Sequence, residues 1–161
     1  MPDERHDATA MIVDDEPMVV TSIQSFLELE TSYRVLPFTS PHEALGMLER
    51  DEPVHVIVAD FMMPDMDGIT FLSKAREHRP QATRILLTGY ADKKNAIRAI
   101  NEAGLYHYLE KPWDNEELKL IIRNGVERSQ LFDELDARVT ALEAANQELF
   151  GFRQRLIQAL L

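Results

Sequence analysis

Acidic, hydroxyl and ammonium side chains lie at or just after the ends of four short apolar runs of this sequence. Asp14 and Asp15 follow one run and Asp60 follows another, while Thr88 ends a third run and Lys111 comes shortly after a fourth. A carboxylate can attack phosphorus and form an acyl phosphate. Grouped carboxylates favour a hard divalent cation such as Mg²⁺, and a lysine can offset phosphoryl charge. These residue types predict phosphoryl transfer to a carboxylate, provided that the fold brings them together.

Five apolar runs alternate with amphipathic stretches, which predicts alternating strands and helices. The runs lie at residues 10–13, 33–38, 54–59, 84–88 and 105–109. Three of them are nearly continuous, as expected for strands buried on both faces, whereas the second contains Pro37 and is predicted near a sheet edge. The pattern predicts an α/β fold with a doubly wound, five-stranded parallel sheet. The carboxyl ends of such strands meet at one edge, where ligands bind.

Helix signals separate the runs. Pro17 opens the first helix, and Ser40 with Glu43 forms a capping box for the second. The third predicted helix begins near Gly68, and the fourth runs from about Asp92 to Ala103. The fifth begins at Asp114. The sequence therefore predicts one helix after each strand.

Each of these polar residues has a structural explanation when it is taken alone. Asp14 and Asp15 before a proline fit a helix start, Thr88 fits a strand, and Lys111 fits a solvated charge. The acidic residues of MPDMDG (residues 63–68) are interpreted as turn residues without a catalytic role. A set of matching residue types at four strand ends is much harder to explain by chance, so the joint pattern favours a functional pocket.

Composition limits the function classes. The chain has 161 residues and a net charge of -11, which disfavours sequence-independent nucleic-acid binding. It has no cysteine, and no apolar run reaches the length of a membrane span. We expect a cytoplasmic protein with neither direct nucleic-acid binding nor a membrane segment.

Four motifs occur in a familiar order: IVDDEP, VADFMMPDMDG, LLTGYAD and YLEKPW. Together they resemble the receiver domain of bacterial two-component response regulators, over about residues 8–127. The resemblance implies a flavodoxin-like fold, with a receiver domain at residues 1–127. It also implies a role in phosphorelay signal transduction, with a sensor histidine kinase or a phosphotransfer protein as the phosphoryl donor.

The resemblance assigns the chemistry to particular positions. Asp60 matches the phosphoacceptor of the family. Asp14 and Asp15 match the acidic pair that holds Mg²⁺ together with Asp60 and the backbone carbonyl of Met62. Lys111 matches the lysine that contacts the phosphoryl group. The chain is thus expected to be a switch that catalyses its own phosphotransfer, with any output enzyme outside it.

The resemblance also implies how the switch is transmitted. Thr88 matches the switch hydroxyl, and Tyr108 matches an aromatic residue whose rotamer follows phosphorylation. Pro112 matches a proline that commonly follows a cis peptide bond. The responding surface is expected on the fourth helix, fifth strand and fifth helix. Met62 and Tyr90 are predicted to border the pocket and to influence the lifetime of the acyl phosphate.

Residues 128–161 contain no proline and show a heptad pattern, which predicts that the last helix extends as a coiled coil. Position d holds Leu135, Leu142, Leu149 and Leu156. Position a holds Phe132, Val139, Asn146, Arg153 and Leu160. Leucine at d with one asparagine at a favours a parallel homodimer through residues 132–160. The segment is also expected to link the receiver to an output domain not present in this sequence.

Two glycines and one charged core position make the heptad pattern weaker at both ends. Gly125 and Gly151 are poor helix formers, and Arg153 is unfavourable at position a. The alternative is a helix packed against its own domain, which is less favoured because five helices already suffice to cover the sheet.

Two other functions remain open at this stage. The first is an aspartyl-phosphate phosphohydrolase acting on external substrates. Those enzymes carry a second aspartate two places after the nucleophile, where this chain has Met62. The second is a scaffold that dimerises and ignores phosphate, which would leave the complete set of pocket residues unexplained.

Overall fold

The computed structural model describes residues 6–89, 98 and 100–161. Within them, five parallel strands form one sheet in the order β2-β1-β3-β4-β5. The strands are β1 Thr9–Val13, β2 Arg34–Phe38, β3 Val56–Asp60, β4 Thr83–Thr88 and β5 His107–Glu110. The strand order reverses at β1, which pairs with β2 on one side and with β3 on the other. The predicted doubly wound parallel sheet is confirmed.

Burial along the strands explains their composition. Every residue of β1, β3 and β4 is buried, in keeping with their nearly continuous apolar sequence. The second strand carries Pro37 and lies at one edge of the sheet, as predicted. The fifth strand lies at the other edge, and its Tyr108 is 39% exposed.

Three helices follow their sequence signals closely: α1 Pro17–Glu30, α2 Pro41–Leu48 and α3 Gly68–His78. The Ser40 hydroxyl accepts a hydrogen bond from the Glu43 N–H, and this caps α2. Most of the predicted fourth helix lies outside the described residues. Its described end, residues 100–103, is helical and stops before Gly104, which has a φ of 59°. A positive φ favours glycine, and this fits the predicted helix end.

The C-terminal helix is Asn115–Leu160, and the Asp114 carboxylate caps it by accepting from two backbone N–H groups at 2.8 and 3.2 Å. The chain divides into two compact units, a first unit (Met1–Ser129) and a second unit (Gln130–Leu161). None of the described helices combines the length and apolar character that crossing a bilayer requires.

Within the first unit, two apolar cores cover the two faces of the sheet. One core contains side chains of α2 and α3, and the other contains side chains of α1 and the beginning of the C-terminal helix. In the second unit every residue is exposed except Gly151, which is intermediate. The first unit therefore has an apolar core within the chain, although Met18, Leu29 and Met62 are exposed, whereas the second unit has no core of its own.

Candidate functional site

Three carboxylates meet at the carboxyl edge of the sheet. Asp14 follows β1 directly and is fully buried, while Asp60 is the last residue of β3 and is also buried. One ligand oxygen from each of Asp14, Asp15 and Asp60 lies within 4.8 Å of the others. The Asp14 carboxylate is oriented by the Glu16 N–H, which donates to Oδ1 at 2.9 Å. The strand ends therefore bring the three predicted acidic residues together.

Lys111 joins two of these carboxylates. Its Nζ lies 3.0 Å from Asp14 Oδ2 and 3.0 Å from Asp60 Oδ1. The backbone holds the lysine in place, because Lys111 N–H donates to the Thr88 carbonyl at 2.7 Å. The Lys111–Pro112 peptide bond is cis. The ammonium group thus occupies the position from which it can offset charge on both carboxylates.

The charges of the site alter its proton affinities. Burial raises the pKa of Asp60 to about 6; the hydrogen bond from Lys111 opposes this rise, and the charges of Asp14 and Asp15 add to it. Burial lowers the pKa of Lys111, but its bonds to Asp14 and Asp60 outweigh that effect and raise the pKa overall. The site holds three carboxylates and one ammonium, so the carboxylates are not fully neutralised and the site favours further positive charge.

Thr88 supplies a hydroxyl with no present partner. It ends β4 and is fully buried, and its Oγ1 makes no hydrogen bond within the described part of the chain. A buried polar atom without a partner costs free energy, so such atoms are rare in folded proteins. A phosphoryl oxygen near Asp60 would give this hydroxyl an acceptor.

Two other predicted site residues, Met62 and Tyr108, are exposed, and Tyr90 is not among the described residues. The Met62 side chain is 65% exposed, and Tyr108 on β5 is 39% exposed. Tyr90 lies outside the described residues. The Met62 side chain is thus exposed two residues after the end of β3, and the Tyr108 side chain is exposed within β5.

Sequence reasoning assigned no role to Gly68, the first residue of α3. Its N–H donates to the Phe61 carbonyl at 2.8 Å. A Cβ at this position would lie 2.2 Å from the backbone oxygen of Asp60, far inside contact distance. Only glycine therefore allows the helix to begin this close to Asp60. The available signal was the glycine of the DG pair directly after the acidic turn.

The donor set fits a magnesium ion. Three carboxylates supply hard oxygen atoms, which Mg²⁺ prefers, and Mg²⁺ retains water ligands that a phosphoryl oxygen can replace. The residual negative charge described above points the same way. This acidic pocket can therefore bind Mg²⁺.

Comparisons with known proteins agree with this site. The family model described as "Response regulator receiver domain" matches residues 10–123. The hydrogenase transcriptional regulatory protein HoxA of Cupriavidus necator is 37% identical, over 95% of this chain and 30% of its own length. Response regulator Rre1 of Synechocystis is 32% identical, over 92% of this chain and 64% of its own length. The chain thus spans less than two thirds of these curated relatives.

Solved structures give the same result. A signal receiver domain of an HD domain-containing protein from Pseudomonas fluorescens has a TM-score of 0.73 and 33% identity, covering 81% of this chain and 94% of its own. A response regulator receiver domain protein from Clostridium thermocellum has a TM-score of 0.72 and 32% identity, covering 78% and 98%.

Sequence, fold and strand-end chemistry converge on one family. Receiver domains of this family act in two-component phosphorelays, where histidine kinases phosphorylate them. The family match covers most of the first unit, including Asp14, Asp60, Thr88 and Lys111. This chain belongs to the response regulator receiver domain family.

Proposed function

We propose that Asp60 is the phosphoacceptor of this receiver and that a sensor histidine kinase or a phosphotransfer protein is the donor. One observation carries the proposal: the Lys111 ammonium lies 3.0 Å from Asp60 and 3.0 Å from Asp14 within a buried acidic group. Such an arrangement holds a carboxylate where positive charge can meet an incoming phosphoryl group.

The transfer itself is a displacement at phosphorus. An Asp60 carboxylate oxygen attacks, a phosphorus–oxygen bond forms, and the phosphorus–nitrogen bond of the donor phosphohistidine breaks. The electron pair of that bond returns to the donor imidazole. Lys111 Nζ then exchanges part of its contact with Asp60 for a phosphoryl oxygen, and Thr88 Oγ1 donates to another.

We propose that Mg²⁺ binds Asp14, Asp15, Asp60 and the Met62 backbone carbonyl. Bound there, the ion supplies charge neutralisation for the phosphoryl oxygens. Asp14 and Asp15 carry no other proposed chemical role. The residues of this chain supply the nucleophile, the ammonium group and the hydroxyl.

The switch is proposed to reach the fourth helix, β5 and the C-terminal helix through Thr88 and Tyr108. Lys111 N–H is bonded to the Thr88 carbonyl, so a movement of Thr88 changes the connection between β4 and the segment after β5. Tyr108 lies within β5, three residues before Lys111. This is a regulatory switch rather than turnover of an external substrate.

We further propose a receiver at residues 1–127 and a coiled-coil extension at residues 128–161 that forms a parallel homodimer through residues 132–160. The exposed leucines of this extension support the proposal. HoxA matches 153 residues of the 161, so the similarity extends into the C-terminal helix. We propose that this helix links the receiver to an output domain in a cytoplasmic protein.

The test is phosphorylation of the 161-residue chain by acetyl phosphate with Mg²⁺, followed by intact mass measurement. We expect a gain of one phosphoryl group that Asp60→Asn abolishes. Asp15→Asn should weaken Mg²⁺ binding because it removes a charged ligand. As a matched control, Asp51→Asn should phosphorylate normally, since Asp51 is an exposed residue in the segment before β3. Labelling that persists in Asp60→Asn would remove Asp60 from its role.

A further inference from the structure

Three large apolar side chains of the second unit lie outside the predicted heptad core. Phe150 is 62% exposed, Phe152 is 52% exposed and Ile157 is 58% exposed. With leucine at d, Phe150 and Ile157 occupy position e and Phe152 occupies position g, where coiled coils usually carry charge. The core leucines alone therefore do not account for the apolar surface of this segment.

A shallow, open groove of about 890 Å³ lies on the side of the helix that carries Phe152, lined by Ala145, Glu148, Leu149, Gly151, Phe152 and Arg155. Residues 145, 148, 149 and 152 have the spacing of the four residues that form one hole in a coiled coil. The small side chain of Ala145 and the missing side chain of Gly151 widen this groove. It is therefore large enough to receive an aromatic ring.

The residues at positions e and g, which flank the heptad core, are complementary in charge and size across a parallel, in-register pair of helices. In that arrangement a residue at g faces the residue five positions later, at e, in the other helix. Arg138 at g then faces Glu143, which is a charge match. Ala145 faces Phe150, so that a small residue lies opposite a large one.

The last flanking pair follows the same rule. Phe152 at g faces Ile157 at e, and both side chains are apolar and exposed in the single chain. An antiparallel pair would instead place e against e. Glu143 would then face Phe150 or another acidic residue. The residues at positions e and g therefore favour the parallel orientation, independently of the leucines at position d.

We propose that the groove on residues 145–155 receives Phe150 of a second copy of this chain in a parallel, in-register pair. Phe152 of each copy then packs against Ile157 of the other. This inference rests on the proposed homodimer and deepens it. It assigns the main contact to the C-terminal part of the second unit, where the heptad pattern alone is weak.

Register is tested by disulfide cross-linking of the full chain, which has no native cysteine. Asn146→Cys puts the two thiols of a parallel, in-register pair next to each other at position a. We expect rapid formation of a covalent dimer under mild oxidation. Gln147→Cys, at the outer position b, is the matched control and should cross-link much more slowly.

The groove is tested by sedimentation velocity over a concentration series. Phe150→Ala should raise the dissociation constant of the dimer by about tenfold or more, since buried aromatic residues dominate interfaces. Leu161→Ala removes an exposed apolar side chain directly after the end of the helix and should leave the constant unchanged.

A charge exchange tests the last flanking pair. Phe152→Glu should weaken the dimer, and adding Ile157→Lys should restore much of the loss, because the two new charges face each other only in the parallel register. Mg²⁺-dependent phosphorylation of each variant would show that its first unit is folded.

The outcomes separate the two proposals. A chain that is monomeric at high micromolar concentration overturns both the homodimer and the groove contact. A dimer in which Asn146→Cys cross-links no faster than Gln147→Cys overturns the parallel, in-register pairing and with it the groove contact. A parallel dimer that Phe150→Ala leaves unchanged overturns the groove contact alone.

Discussion

The two units of this chain differ in the kind of chemical group that has no partner within the unit. In the first unit, the large apolar side chains of β1, β3 and β4 are buried within the chain, and two kinds of polar group at the described site are not fully satisfied. They are the Thr88 hydroxyl and the partly neutralised carboxylates around Asp60. A bound cation and a phosphoryl group would satisfy these polar groups.

In the second unit the unsatisfied groups are apolar. Leu142, Leu149 and Phe150 are 63%, 58% and 62% exposed, and no other part of that unit covers them. Most of the stability of helices in proteins comes from packing of an apolar face, so a partner that covers these side chains would stabilise the helix. The comparison supports both proposals: polar groups without partners fit a phosphoryl group, and an exposed apolar helix face fits a second copy of the chain.

The largest effect is expected from Leu142→Asp. In the proposed dimer this change places two carboxylates against each other in an apolar core. It also removes two buried leucines, each contributing about 1.5–3 kcal/mol. The dissociation constant should therefore rise by about a hundredfold or more, as measured by light scattering. Phosphorylation of Asp60 should remain.

Gln147→Asp is the matched control for that change, because it adds the same charge at the outer position b. It should leave the dimer intact. Equal dissociation in both variants would mean that added charge, rather than loss of the heptad core, separates the copies.

Gly68→Ala should destabilise the first unit by about 3 kcal/mol through overpacking. The new Cβ would lie 2.2 Å from the Asp60 backbone oxygen, so α3 or the end of β3 must move. Chemical denaturation measures the loss. Gly46→Ala is the control: it lies in α2 with no atom within 4 Å of the added Cβ, and should stabilise by up to about 1 kcal/mol.

Lys111→Ala should strengthen Mg²⁺ binding by about tenfold, because it removes a positive charge beside the proposed ligands Asp14 and Asp60. The same variant should keep its fold but respond poorly to phosphate. Isothermal titration calorimetry measures the first effect. Lys119→Ala removes a surface lysine that pairs with Glu116, and should leave Mg²⁺ affinity unchanged. Weaker Mg²⁺ binding in Lys111→Ala would contradict the proposed ligand set.

The smallest effects compare the two ends of β4. Thr83→Val removes the buried hydrogen bond from Thr83 Oγ1 to the Gly125 carbonyl at 2.7 Å, which should cost about 1 kcal/mol of unfolding free energy. Thr88→Val removes an unpartnered hydroxyl and should leave that free energy unchanged or slightly higher. Thr88→Val should still accept phosphate but transmit it poorly. If thermal denaturation shows equal losses, Thr88 has a structural bond in the unphosphorylated protein.

Much of the fold could be predicted because local sequence and burial agree. The runs at β1, β3 and β4 are apolar because both of their faces are covered, and Ser40 and Asp114 cap helices where the sequence places them. Strand limits differed from the predicted runs by one or two residues at most ends. The third run began two residues before Val56, because apolar composition continues beyond the hydrogen-bonded ladder.

The sequence predicted which residues form the site better than it predicted how those residues contact one another. The two ion pairs of Lys111, with Asp14 and with Asp60, join three separate segments of the chain, and no local sequence pattern predicts them. The close approach of Gly68 to Asp60 also depends on how α3 meets β3. The heptad core of the second unit is visible in sequence, whereas the groove lined by Ala145 and Phe152 required side-chain positions.

The most direct test of the central proposal is to locate the phosphoryl group chemically. Borohydride reduces an acyl phosphate to an alcohol with release of phosphate, which converts a phosphorylated aspartate to homoserine. After phosphorylation with Mg²⁺, reduction and digestion, mass spectrometry should find homoserine at position 60 and aspartate at positions 14 and 15. Homoserine at position 14 or 15, or none at position 60 in a chain that gained phosphoryl mass, would contradict the account.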